Sequence, residues 1–197
     1  MGIVYLVRHG QSEANRLRIW GGDFPLSDKG REQALTVPAK LDPAPDRVIS
    51  STLKRANETA CIAYPDMDVI KDKAFDEVRF GTMELQPMDD EEKWYLFCND
   101  PERLMQIVKG DDLKERTETA IDAIRRYAAE NAVTAIFASD TLIRCIVAAL
   151  RGQTLNSVHE YYLLNCGFVK LNVEDEITLE YTGDLVLRPA PKNGERL

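Results

Sequence analysis

The hydrophobic pattern alternates between short unbroken apolar runs and longer segments with helical spacing. Ile3-Val4-Tyr5-Leu6-Val7 is apolar without alternation and breaks into a polar, Gly-containing loop, which predicts a buried parallel strand. Arg47–Ser50 is short and apolar enough for a second strand, Ala132–Ala138 supplies another buried one, and 66–71 predicts a further strand. Between them lie helical stretches. One is introduced by Pro25-Leu26-Ser27-Asp28 and runs to about Leu41, with Ser27 or Asp28 as N-cap and Pro38 kinking it or ending it early. Another spans Thr52–Tyr64 with Leu53, Ala56, Ala60 and Ala63 inward, and 112–131 carries a stripe that includes Leu113, Ala120 and Ile124. Leu142–Leu150 is predicted helical, and Phe168–Val173 with Ile177–Tyr181 form a closing hairpin through Glu174-Asp175-Glu176. Residues 89–109 predict two short helices meeting near Asp100-Pro101, as a lid or side wall. The order strand, helix, strand, helix implies a mostly parallel sheet covered on both faces, an α/β fold.

At 197 residues, without an internal repeat or linker, the chain suits one domain over 1–188, followed by a loose Pro-, Gly- and charge-rich tail over 189–197. It is 44% apolar and 29% charged, as globular proteins are. A net charge of -8 argues against nucleic-acid and anionic-membrane partners, which need a basic face. It leaves room for a small anion held by a local arginine cluster. The four cysteines, Cys61, Cys98, Cys145 and Cys166, are too scattered for a zinc site, and three of them have apolar neighbours, as reduced core thiols do. With no signal peptide and no run of membrane-spanning length, the expected location is cytoplasmic.

The candidate chemistry sits where the first strand ends. Val7-Arg8-His9-Gly10-Gln11-Ser12-Glu13-Ala14-Asn15 places an Arg and a His at the carboxyl end of a strand, where open α/β sheets bind ligands. Phosphate is the obvious anion, although Arg8-His9-Gly10 alone could be a polar turn. Arg55, one turn into the helix after Ser50-Ser51-Thr52, could reach back over the sheet edge toward Arg8 and His9 and offer phosphate a bidentate fork, or could lie on the surface.

Arg8, His9, Gly10, Ser12, Glu13 and Asn15, joined to Ser50-Ser51-x-x-x-Arg55-Ala56-x-x-Thr59-Ala60, resemble the histidine phosphatase superfamily, the phosphoglycerate-mutase-like proteins. Pro25-Leu26-Ser27-x-x-Gly30, Phe75-x-Glu77-x-x-Phe80-Gly81-x-x-Glu84 and Leu142-Ile143-Arg144 continue the resemblance in the family's order over most of the chain. The resemblance implies a three-layer α/β/α sandwich and a phosphatase acting on a small phosphorylated metabolite, with no metal or organic cofactor. His9 would be the nucleophile, and Arg8 and Arg55 would grip the phosphoryl oxygens. Asn15 and the backbone near Gly21 match phosphate- or substrate-contacting positions. Glu77 falls where the family's phosphatases carry the general acid, against the alternative of a surface carboxylate.

One position departs from the pattern. Counting back from Ile143-Arg144 sets Ser139 where the family carries a second histidine and Asp140 where a glycine is usual. Serine can still donate a hydrogen bond but is shorter and uncharged, and an inward Asp140 would repel a phosphate dianion. The chain's only other histidine, His159, fits a surface or packing role. The departure leaves open a working but unusual phosphatase, a regulatory protein that binds phosphoesters without efficient turnover, and an engineered inactive variant; a mutase is disfavoured. Specificity is expected from the region between Met83 and Gly110. There Lys93, Trp94, Tyr95 and Phe97 could line a pocket or form lid core, and Arg103 or Lys109 could bind a second anionic group. A homodimer is the default assembly.

Overall fold

The computed structural model describes residues 2–128, 132–181 and 184–187. The apolar run at the amino end is strand β1 (Gly2–Arg8), and Val4 through Val7 are fully buried. It lies between β4 (Val133–Ala138), parallel and in register from Ile3↔Val133 to Arg8↔Ala138, and β6 (Phe168–Val173), antiparallel. With β2 (Arg47–Ser50), β3 (Val69–Lys71) and β7 (Ile177–Tyr181), the six strands take the order β3-β2-β4-β1-β6-β7. The first four are parallel, and the β6–β7 hairpin closes one edge.

Both faces of this sheet are covered, which is why β1 needs apolar residues at consecutive positions. Val4 and Leu6 pack into one core with Ile136, the inward stripe of α6 (Leu113–Ala128) and most of α7 (Asp140–Leu150). Tyr5 and Val7 point the other way, to a second core with Ala56, Ala60 and Ala63 of α3 (Lys54–Ala63). Helix, sheet and helix make the expected three layers. Cys98, Cys145 and Cys166 are buried and reduced, and Cys61 is exposed. No helix among the described residues is long and apolar enough to cross a membrane.

Several predicted elements change length for local reasons. The helix begun at Ser27 is α2 (Asp28–Ala34), with the Ser27 hydroxyl accepting from the Gly30 N–H. It ends before Pro38, which starts a separate 3-10 turn over Pro38–Lys40, because proline has no N–H to continue the ladder. Five-residue α1 (Glu13–Leu17) occupies part of what reads as loop, closed by a capping box between Ser12 and Asn15. α4 (Glu91–Asn99) and α5 (Pro101–Val108) meet at Asp100, which caps the second. The closing hairpin is not the last pairing: β5 (Tyr161–Leu163) pairs with β8 (Leu185–Leu187) as a separate antiparallel ribbon. The predicted tail over 189–197 and the end of the 112–131 helix lie outside the described residues, as does the side chain of His159.

Candidate active site

The adjacent tips of β1 and β4 are the foundation of the site. Beyond β1, the backbone of Gly10 runs against that of Gly30 in α2. A Cβ on Gly10 would lie 2.4 Å from the Gly30 carbonyl oxygen, and one on Gly30 would lie 2.1 Å from that of Gln11. Only glycine fits at either position. The Gly10 N–H donates to Thr59 Oγ1 at 3.0 Å, and Asn165 Nδ2 donates to the His9 carbonyl at 3.0 Å. The loop carrying His9 is thus tied to α2, α3 and the segment before β6.

This anchoring fixes the imidazole. His9 is 3% exposed, and its Nδ1 lies 2.6 Å from the Gly10 carbonyl oxygen. A carbonyl can only accept, so Nδ1 carries the proton and Nε2 keeps its lone pair. Arg55 Nε donates to that Nε2 at 3.1 Å. Burial, and then the charges of Arg55 and Arg8, hold the His9 pKa well below its ordinary value. His9 is therefore a neutral imidazole with its basic nitrogen facing a guanidinium.

Arg55 itself is 4% exposed. Its Nη1 donates to the Gly22 carbonyl at 2.7 Å and its Nη2 to Ser139 Oγ at 3.3 Å. Arg8 is buried too, with Nη1 bonded to the Leu163 carbonyl and its guanidinium 5.7 Å from the centre of the Tyr162 ring. Two guanidinium groups thus flank one neutral imidazole.

The opposite wall is the start of α7. Glu77 accepts from the backbone N–H groups of Thr141 at 3.3 Å and Leu142 at 3.2 Å, so a carboxylate distant in sequence completes the cap of this helix. That is why α7 begins at Asp140, two residues before the predicted start at Leu142. Burial raises the Glu77 pKa, the nearby Arg55 charge opposes that rise, and Asp140 adds to it. Asp140 binds Arg144 Nη2 at 3.1 Å and lies 3.9 Å from Arg8 Nη1. The Arg144 guanidinium also sits 5.5 Å over the Phe97 ring.

These groups enclose a cavity of about 330 Å³. Arg8, His9, Arg55, Glu77 and Asp140 line it, with Asn15 and Gly21 nearer the first loop and Trp20, Phe80, Trp94 and Phe97 as its aromatic side. Asn15 Oδ1 accepts from the Ser12 N–H, which leaves its amide nitrogen as the group it can offer a ligand. Gly21 has φ +58, and a Cβ there would lie 2.0 Å from Glu84 Oε2. Glu84 holds this turn in place, accepting from the N–H groups of Gly22 and Phe80 at 2.7 Å each. Among the described residues, no group of three or more His, Cys, Asp or Glu side chains is arranged to hold a metal ion.

The family model for the histidine phosphatase superfamily, branch 1, matches residues 4–180. The chain belongs to this superfamily. Its curated relatives include proteins named probable phosphoglycerate mutase GpmB from Shigella boydii and Escherichia coli, 27% identical over 206 residues and covering 95% of each chain. Among solved structures it is similar to Bacillus stearothermophilus YhfR, with a TM-score of 0.84 at 22% identity over 93% of this chain and 98% of that one. A phosphoserine phosphatase variant from Entamoeba histolytica in complex with phosphoserine gives 0.78 at 22%, over 92% and 96%. Bacillus anthracis phosphoglycerate mutase gives 0.79 at 22%, over 93% of each chain. Such distant likenesses show the fold, a phosphoglycerate-mutase-like α/β sandwich.

Within this superfamily fold, the residues quoted for the resemblance converge: Arg8, His9, Asn15, Gly21, Arg55, Glu77 and Asp140 all reach the one cavity. Ser139 does not. It is 0% exposed, stands behind Arg55 as the N-cap residue of α7, and its Oγ accepts from the guanidinium rather than facing the cavity. The region between Met83 and Gly110 divides likewise. Trp94 and Phe97 line the cavity, whereas Lys93, paired with Asp90 at 2.9 Å, and Tyr95, Arg103 and Lys109 do not. Sequence reasoning gave no role to Arg144, Tyr162 or the Thr141 N–H. The Leu142-Ile143-Arg144 run was the available signal for the first, since one helical turn places Arg144 on the same face as Asp140.

Proposed function

We propose that this chain is a phosphatase that hydrolyses a small phosphomonoester through a phosphohistidine on His9. The observation that carries the reading is the His9 imidazole, neutral, with Nδ1 protonated onto the Gly10 carbonyl and Nε2 facing the Arg55 guanidinium. As the phosphoryl group enters, Arg55 exchanges the His9 lone pair for phosphoryl oxygens, and Arg8 binds another oxygen from the opposite side. Nε2 then attacks phosphorus, and the bond to the ester oxygen breaks. The electron pair leaves on that oxygen, which takes the proton of Glu77. In the second half, Glu77 accepts a proton from water as the water oxygen attacks phosphorus, releasing inorganic phosphate and restoring His9. The guanidinium groups are already in place, and such preorganised charge is the main source of rate in phosphoryl transfer.

Incubation with a phosphomonoester should release inorganic phosphate with wild type and not with His9→Ala; equal release by both would overturn the reading. A second reading has its own support, because Ser139 stands behind Arg55 and gives the phosphoryl group no donor from the tip of β4. On that reading the protein binds phosphoesters with little turnover. Calorimetry showing binding that depends on Arg8 and Arg55, without phosphate release, would favour it.

A further inference from the structure

The cavity above His9 is chemically divided. Charge is concentrated at its floor, whereas its side is a continuous aromatic surface: Trp20 lies 5.0 Å from Phe97 and 5.1 Å from Phe80, and Trp94 lies 5.8 Å from Phe97, all between ring centres. Met88 adds to the same side. Trp20, Phe80 and Phe97 are buried and keep little open surface, whereas Trp94 and Met88, which line the same side, are only partly buried and present more of theirs to a ligand.

Among the described residues, the one cation on this side is already matched. Arg144 is paired with Asp140 at 3.1 Å, donates to the Val158 carbonyl at 3.3 Å and lies over Phe97. No lysine lines the cavity among the described residues. A carboxylate on the alcohol part of a substrate would have to give up water beside Asp140, facing a guanidinium whose charge Asp140 already offsets. An apolar ring would exchange water for aromatic faces and the polarisable Met88 sulfur.

We propose that the substrate is a phosphomonoester whose alcohol is uncharged, apolar and about the size of one aromatic ring. This rests on the phosphatase reading above and names its substrate class. The cavity, about 330 Å³, is near the lower end for ligand sites and has room for one phosphoryl group with one ring.

The test compares benzyl phosphate with ethyl phosphate and 3-phosphoglycerate, whose leaving alcohols are all unactivated. The expected kcat/KM for benzyl phosphate exceeds that of either competitor by about tenfold or more, the discrimination one apolar pocket can give. Phe97→Ala and the less drastic Phe97→Leu should both narrow the benzyl-to-ethyl ratio, with Leu narrowing it less. A binding measurement separates this proposal from the reading beneath it. Both tryptophans of the chain, Trp20 and Trp94, border the cavity, so their fluorescence reports occupancy directly. Benzylphosphonate, which cannot be hydrolysed, should shift that fluorescence at concentrations about tenfold below ethylphosphonate or phosphonoacetate. If no ester is hydrolysed but this order of binding holds, the phosphatase reading fails and the aromatic preference stands. Equal binding of all three, tighter binding of phosphonoacetate, or a ratio unmoved by Phe97→Ala would overturn the proposal.

Discussion

β1 and β4 run parallel and in register as far as Arg8↔Ala138, so the residues that follow them, His9 and Ser139, leave the sheet side by side. Past β1 the chain runs on as a loop gripped by its neighbours: Gly10 lies against Gly30 and bonds to Thr59, and Asn165 holds the His9 carbonyl. Past β4 the chain turns at once into α7, and Ser139 becomes the N-cap residue of that helix. A side chain at the first tip is held over a cavity, whereas one at the second is drawn under Arg55. Neighbouring positions in a sheet therefore need not share a surface. The cap on α7 is provided by Glu77, so one carboxyl group both starts the helix and lines the pocket.

The comparison ranks four substitutions. Removing the imidazole at the first tip with His9→Ala should lower phosphate release by about four orders of magnitude or more, since on the proposed mechanism it removes the group that carries the phosphoryl intermediate. Arg55→Lys comes next. An ammonium cannot reach His9, Gly22 and Ser139 together as the planar fork does, and a loss of roughly 10³-fold in kcat/KM is expected at unchanged fold. Retention of more than a tenth of the activity would show that charge alone suffices there.

Glu77→Gln should cost about 10²-fold for an alkyl phosphate and much less for a nitrophenyl ester, whose leaving oxygen needs no proton. The pH profile gives a second reading of the same residue. On the proposed mechanism His9 must be neutral, and its lowered pKa carries the acid limb below its ordinary value of 6.5. On the same mechanism Glu77 must be protonated, and its raised pKa carries the alkaline limb above its ordinary value of 4.5. The optimum lies between the two limbs, and Glu77→Gln should remove the alkaline limb while leaving the acid one. Persistence of both limbs in the variant would assign the acid elsewhere. Ser139→Ala has the smallest effect expected, a loss of under about tenfold, as fits a positioning residue that acts through one long hydrogen bond to Arg55. If Ser139→Ala cost as much as Arg55→Lys, Ser139 would belong to the first rank of the site.

The parts of this molecule legible in its sequence are those with strong local patterns. β1 announces itself as an unbroken apolar run, β2 and β4 as short, largely apolar segments, and α3 and α6 as apolar stripes, so the layers of the sandwich follow. α1 is too short for periodicity, with Ala14 its one buried residue. β5 and β8 lie far apart in the chain, and neither strand alone, at three residues, carries a pattern. The site shows the same divide. His9, Arg55 and Glu77 could be named because their motifs together resemble those of the superfamily, in its order and at family-like spacing. Ser139 could be aligned with a neighbouring strand tip, but nothing local records that α7 starts two residues early on a carboxylate from another segment. The pairing of Arg144 with Asp140, which leaves the aromatic side without a free charge, depends on the same helix start.

The central claim is a covalent phosphoryl group on His9, and trapping it is the most direct test. The protein would be mixed with a phosphate-labelled benzyl ester, quenched in alkali within the first turnover, digested and mapped. One acid-labile, alkali-stable phosphoryl group on His9 that discharges to inorganic phosphate as turnover proceeds is the predicted result. Release of labelled phosphate with no label on His9 at any time in the first turnover would contradict it.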